Sequence, residues 1–253
     1  MKKLGYSLKE FSILKDKPKD VYYKGDLSLL KKKKVAIVGT RHPISYTKQF
    51  CMKLGIALKK RGVCVVSGGA MGVDALAHKA SFPSTIGVMA NSLDLIYPKV
   101  NSSLIRSMGK ESLLLSEYAS DTKATRYSFV LRNRLVVALG EVLVIAEADI
   151  DSGSMRSAEI AMKYGKKIFV LPHRLEDSLG TNQLLKDGAA QAIYDVDSFA
   201  DMFGEALQES DEVLEFCKSN DSLQDVLARY GDKIYEYELE GKIEIVNMKV
   251  IVL

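Results

Sequence analysis

A run of branched apolar residues stops abruptly at Val63-Cys64-Val65-Val66-Ser67-Gly68-Gly69, and a helical pattern follows through Val73-Asp74-Ala75-Leu76-Ala77-His78. The same plan occurs earlier as Val35-Ala36-Ile37-Val38, then Gly39-Thr40-Arg41, then a helix from about Tyr46. Few folds are built from such junctions. A strand that is apolar at every position is buried on both faces, which points to a parallel sheet covered by helices. Glycine at the turn lets backbone N–H groups approach a ligand with no Cβ in the way. The N–H groups that open a helix attract anions, phosphate above all. In sheets of this kind ligands bind outside the carboxyl ends of the strands.

The alternation continues along the chain. Apolar strands read at 35–38, 63–66, 85–89, 113–115, 142–146 and 167–171, with a weaker one near 192–194. Helical patterns lie between them at 46–60, 73–80, 102–108, 132–139, 154–164 and 181–186. The expectation is an α/β, mainly parallel, doubly wound sheet over 34–205. Residues 1–33 are lysine-rich and weakly periodic and read as a basic arm, with Lys31 to Lys34 as a solvated run. After a linker at 204–210, helices are expected at 211–219, 222–230 (opened by Asp221) and 232–240, followed by a hairpin at 242–253. Three helices and a small β-wing over 211–253 resemble a winged helix.

The 253 residues suffice for one large α/β domain and a small appendage. The longest apolar stretch, 135–146, is broken by Gly140 and Glu141, so no membrane span is expected. The basic N-terminus has no apolar signal core, so export is not expected. Cys51, Cys64 and Cys217 fit neither a disulfide framework nor a zinc knuckle and read as reduced thiols in the cytoplasm. Charge is unevenly divided. From Ala206 to Leu253 there are 5 basic and 11 acidic residues, a net of −6, against +10 for the remainder. A basic body suits a polyanionic partner, whereas an acidic tail repels one.

The first turn lacks the second and third glycines of a dinucleotide fingerprint, and the next strand ends in Ser67 rather than an acid, which disfavours NAD. Arg41, at the end of the first central strand, suits a phosphate. Arg126-Tyr127-Ser128-Phe129-Val130-Leu131-Arg132-Asn133-Arg134 then gathers three arginines and two aromatics at a helix start. Two readings stand: Phe129 in the core with arginines paired to Glu117 or Asp121, or a ring under a base with arginines on the backbone. Arg132 and Arg134 point to different faces of any helix, so one is expected to bind ligand and the other to pack. Asp151-Ser152-Gly153-Ser154 and Leu179-Gly180-Thr181-Asn182 add small polar turns at strand ends.

Catalytic signals are thin. His42, His78 and His173 are isolated without metal-ligand spacing, and neither a nucleophile elbow nor a P-loop is present. Asp74 in a first helical turn suits the helix dipole, and Glu147 after its strand is the better enzymatic candidate. No metal and no cofactor are expected.

Gly39-Thr40-Arg41, Ser67-Gly68-Gly69-Ala70-Met71-Gly72-Val73-Asp74, Tyr97-Pro98, Ser116-Glu117, Phe129 with Arg132-Asn133-Arg134, Ser152-Gly153-Ser154 and Gly180-Thr181-Asn182 together resemble the DprA/Smf family over roughly 34–195. The resemblance implies an extended Rossmann-like domain that binds single-stranded DNA, forms a homodimer, protects strands during natural transformation and helps load RecA recombinase, without catalysis. Carried over by position, the DNA pocket includes Arg41, Gly68, Gly69, Arg126, Phe129 and Asn182, with Arg132 or Arg134 nearby. With 33 residues before the first strand, the family's helical sterile-alpha-motif domain is expected to be missing or reduced to an arm. The C-terminal piece resembles the family's winged helix, and its charge assigns it to protein contacts. The rival reading is a nucleotide-cleaving enzyme of the phosphoribohydrolase type. That group resembles P-G-G-x-G-T, and the turn here lacks both proline and threonine.

Overall fold

In the computed structural model, residues 1–206, 211–239 and 241–252 are described. The chain divides into two compact units, Met1–Leu207 and Gln208–Leu253. The expected linker at 204–210 lies partly, at 207–210, outside the described residues.

The first unit runs β1 (Lys2–Lys3), β2 (Tyr22–Gly25), β3 (Lys34–Val38), α1 (Ser45–Lys60), β4 (Cys64–Gly68), α2 (Val73–Ser81), β5 (Thr85–Met89) and α3 (Ser102–Glu111). It continues β6 (Leu113–Ser116), α4 (Arg126–Leu139), β7 (Val142–Ile145), α5 (Gly153–Lys163), β8 (Ile168–Val170), α6 (Leu179–Lys186), β9 (Gln191–Ala192) and α7 (Val196–Asp201). Nine strands form one sheet in the order β1-β2-β6-β5-β4-β3-β7-β8-β9. From β6 to β9 all neighbours are parallel, with Ala36 of β3 opposite Val66 of β4 and Leu143 of β7.

Both faces of the parallel strands are covered, which is why they read as unbroken apolar runs. Along β3, Val35 and Ile37 face Phe50, Leu54 and Val73 from α1 and α2. Ala36 and Val38 face the other layer, where Leu135 to Leu139 of α4 and Ala158 of α5 pack. The expected doubly wound architecture is the one observed. Chain order reverses at β3, which is flanked by β4 on one side and β7 on the other. The crevice above β3 is thus the switch point where ligands of such sheets bind.

Residues 1–33 differ from the expected arm. Leu4, Leu8, Phe11, Leu14, Val21 and Leu29 are buried in the core beside α4. Tyr22–Gly25 pairs antiparallel with β6, and Lys2–Lys3 pairs with it in turn. Their apolar residues are spread among lysines with no fixed period, which hid them from pattern reading. These strands cover the β6 edge, an otherwise open row of backbone donors and acceptors. A second difference is the start of α4 at Arg126 instead of 132. Thr125 Oγ1 accepts from the Ser128 N–H (3.1 Å) and Ser128 Oγ from the Thr125 N–H (2.8 Å), a reciprocal cap that fixes the earlier start.

The second unit contains α8 (Glu212–Ser219), α9 (Leu223–Tyr230), α10 (Lys233–Leu239) and a hairpin of β10 (Ile243–Val246) and β11 (Lys249–Val252). Val213, Cys217, Val226, Ile234, Ile243 and Val250 form its own small core. Ser222, not Asp221, caps α9 by accepting from the Asp225 N–H. Asp221 instead pairs with Lys249 at 2.6 Å, tying the helix entry to β11.

Candidate nucleic-acid interface

A cleft of about 880 Å³ opens at the carboxyl ends of β3 and β4, between α4 and the start of α5. Each wall follows from a local sequence choice. Gly72, with φ +74°, sits at the N-terminus of α2, and a Cβ there would overlap the Thr40 and Arg41 backbone. The glycine turn therefore closes directly onto the β3 loop, and the Val73 N–H donates to Thr40 O at 3.1 Å. On the other side, the Thr40 N–H donates to Glu147 O (2.9 Å), and Glu147 Oε2 accepts from the Ile44 N–H (3.1 Å). Glu147, the candidate acid, is thus buried and occupied in anchoring the loop that presents Arg41.

Of the residues expected to bind DNA, the structure brings Arg41, Gly68, Arg126, Phe129 and Arg132 together as lining of this one cleft. Arg41 is exposed, its Cζ 5.7 Å from the centre of the Phe129 ring, in reach for a cation–π contact. Arg126 is exposed in the first turn of α4. Arg132 is only 5 % exposed and donates from Nη1 to Val88 O at 2.6 Å. Its guanidinium lies against Gly68, where a Cβ would overlap it. Glycine at 68 is therefore a space requirement of this arginine.

Three expected residues stand elsewhere. Arg134 forms a bidentate pair with Glu117 (3.1 and 2.7 Å), the packing alternative weighed above. Asn182 Nδ2 donates to Arg174 O (2.8 Å) and Leu175 O (3.2 Å), holding the loop after β8. Gly69 is outside the cleft lining, and its carbonyl accepts from Asn101 Nδ2 at 3.2 Å. Arg132 and Arg134 thus point differently, Arg132 buried on the cleft lining and Arg134 paired with Glu117.

The cleft also holds residues that sequence reasoning did not assign. Arg156 is exposed on the α5 wall, and the signal was its place one turn beyond Ser152-Gly153-Ser154. Ser152 caps α5 by accepting from the Met155 N–H, and Gly153 and Ser154 line the cleft in the turn whose N–H groups have no intrahelical partner. Asn133 donates to Gly153 O at 3.3 Å and joins the two helices.

Acids are the minority. Burial pushes the Asp74 carboxyl above its ordinary range, while the nearby Arg132 and the Ala70 N–H draw it down. Burial lowers the Arg132 pKa in turn, and Asp74 opposes that. Each compensates the other's desolvation. Asp151 is the other carboxylate on the lining, and it is exposed. Behind the glycine turn, buried His78 has its pKa lowered to about 4 by desolvation. As neutral imidazole its Nε2–H donates to Gly68 O (2.7 Å), and Nδ1 accepts from the Thr85 hydroxyl (2.7 Å). Among the described residues no group of His, Cys, Asp and Glu has the makings of a metal site, and no helix is long and apolar enough to cross a membrane.

A doubly wound sheet with a charged cleft at its switch point defines an α/β ligand-binding protein. The sequence model described as DNA recombination-mediator protein A matches residues 4–204, and the chain belongs to that family. It is 37 % identical over 180 residues to the DNA processing protein DprA of Bacillus subtilis, covering 69 % of this chain and 61 % of that protein. Identity to the DprA of Streptococcus pneumoniae is 36 % over 185 residues, 71 % and 65 % of the two chains. The chain therefore spans just under two thirds of the length of these curated relatives. Among solved structures, DNA processing protein A of Helicobacter pylori, described for its single-stranded DNA binding mode, matches with TM-score 0.78 and 47 % identity over 79 % of this chain and 94 % of that one. The Streptococcus pneumoniae structure matches with TM-score 0.73 and 33 % identity, over 79 % and 71 %.

Proposed function

We propose that this chain binds single-stranded DNA in the switch-point cleft and handles it without breaking a bond. The observation that carries the reading is that Arg41, Arg126, Arg132 and Arg156 line one cleft with the partly exposed Phe129 and the opening turn of α5. Arginines and free helix N–H groups suit phosphates, and a ring suits any base, since every base has a π-face. The Helicobacter pylori relative, described for binding single-stranded DNA, supports the assignment. The binding residues are Arg41, Arg126, Phe129, Arg132 and the Gly68 backbone. Glu147 and Asp74 have backbone duties that suit anchoring rather than attack on a nucleoside bond.

The finer role we propose is protection of incoming strands in natural transformation and help in loading RecA recombinase, in the cytoplasm; the family's description as a DNA recombination mediator is compatible with it. A homodimer joins two short basic tracks and raises avidity for long strands. Residues 211–253 are assigned as a winged-helix-like unit that contacts proteins, because their net negative charge has the same sign as that of DNA. Titration of oligo-dT of increasing length against a mononucleotide tests the core reading. Affinity should rise with length and fall steeply with salt. Tight mononucleotide binding without length dependence, or release of a free base, would overturn it.

A further inference from the structure

Beyond the cleft, Tyr97 stands in the loop between β5 and α3 with 49 % of its surface exposed. The ring it approaches is that of Phe129, centroid to centroid 6.0 Å and tilted by 48°. Phe129 in turn has the Arg41 guanidinium 5.7 Å from its centre. The Phe129 ring thus neighbours both the Arg41 guanidinium and the Tyr97 phenol, and Arg41 and Phe129 line the cleft. Tyr97 itself lies outside that lining.

The loop that carries Tyr97 is braced. Asn101, at the end of the same loop, donates from Nδ2 to Gly69 O (3.2 Å) and Ala70 O (2.9 Å), clamping residues 97–101 onto the glycine turn. Met71 and Val100 are exposed on the two clamped loops. Exposed charges of both signs lie nearby in sequence: Lys99 and Arg106, and Asp94, which accepts from the Asp121 N–H at 3.0 Å. A half-exposed aromatic on a braced loop, beside a ring of the cleft that itself has an arginine at its face, has the makings of a single-strand stacking platform.

We infer that Tyr97 is a second base platform, so that the strand leaves the cleft over Phe129 and lays its next base on Tyr97. This rests on the cleft being the single-strand site and extends its footprint toward the β5 side. The ligand is a polynucleotide of weak sequence preference, because a ring face reads no base edge.

The chain contains no tryptophan, so Tyr97→Trp installs a sole indole, excited selectively at wavelengths beyond tyrosine absorption. Its emission should be quenched on oligo-dT binding. Tyr97→Ala should bind oligo-dT at least about fivefold more weakly, Tyr97→Phe should bind as the parent does, and in Tyr97→Ala the rise of affinity with length should level off one nucleotide earlier. A merely structural tyrosine would not move that length. Unquenched emission from Tyr97→Trp with oligo-dT bound, or an unchanged footprint in Tyr97→Ala, would overturn the inference. Arg41→Ala and Phe129→Ala in the same titration separate the two claims. If they weaken binding and the Tyr97 variants do not, only the extension falls. If they too leave binding intact, the cleft reading itself falls.

Discussion

The two ends of the parallel sheet carry cations in opposite ways. At the amino ends Lys32, Lys33, Lys34 and Lys166 are taken up by the fold. Lys34 Nζ donates to Leu30 O (2.8 Å) and Lys32 O (2.9 Å) and pairs with Glu10 at 3.0 Å, both side chains largely buried. Lys33 donates to Phe203 O, Lys32 to the Ser84 hydroxyl, and Lys166 to the carbonyls of Ala138 and Gly140 at the end of α4. At the carboxyl ends Arg41, Arg126 and Arg156 are exposed around a cleft. A net charge of +10 over residues 1–205 therefore says little by itself. What matters is which cations already have partners.

Replacing Lys34 with methionine tests the lower end and should have the largest effect. It leaves Glu10 buried without its counter-ion, so chemical unfolding should show a loss of about 3 kcal/mol, with oligo-dT affinity of the folded protein unchanged. Weakened binding at intact stability would make the lower end a binding surface and dissolve the contrast. His78 should give an effect of similar size through pH. Its pKa falls from an ordinary 6.5 to about 4 in the folded chain, so its contribution is complete above pH 6.5 and is lost as pH drops toward 4. The amount is on the order of 3 kcal/mol, and unfolding curves of His78→Gln should be flatter across that window than those of the parent.

At the upper end, Phe129→Ala should cost about 1–3 kcal/mol of single-strand affinity with the salt slope nearly intact. A large slope change would mean that the ring organises cations rather than bases. Arg41→Ala, the smallest effect, should weaken all single strands about equally and lower the salt slope by about one. Unaltered affinity at moderate salt would remove Arg41 from the interface.

The parallel strands were legible because burial on both faces leaves a mark at every position: 85–89 is read with the bounds of β5, and 142–146 runs one residue past β7. Strand β2 left no such mark, since Tyr22-Tyr23-Lys24-Gly25 is half exposed beside the two-residue edge strand β1. Helix α7 was passed over although Phe199 meets Phe203 edge to face at 5.4 Å and Phe169 of β8 likewise at 4.9 Å. Their spacing of four was the available signal. In the cleft, residue type announced cations but not their partners. Arg132 and Arg134 differ by two positions, and only packing reveals that Glu117 takes the second. Gly69 and Asn182 came from positional likeness, and the structure gives their polar groups local tasks.

The loop bearing Arg41 is moored at both flanks, to Val73 of α2 and to Glu147 after β7. Such double mooring settles its backbone before any guest arrives. Capture then asks only for side-chain adjustment, so encounters should convert into complexes without a slow rearrangement, and an empty crystal should superimpose on a filled one along residues 39–44.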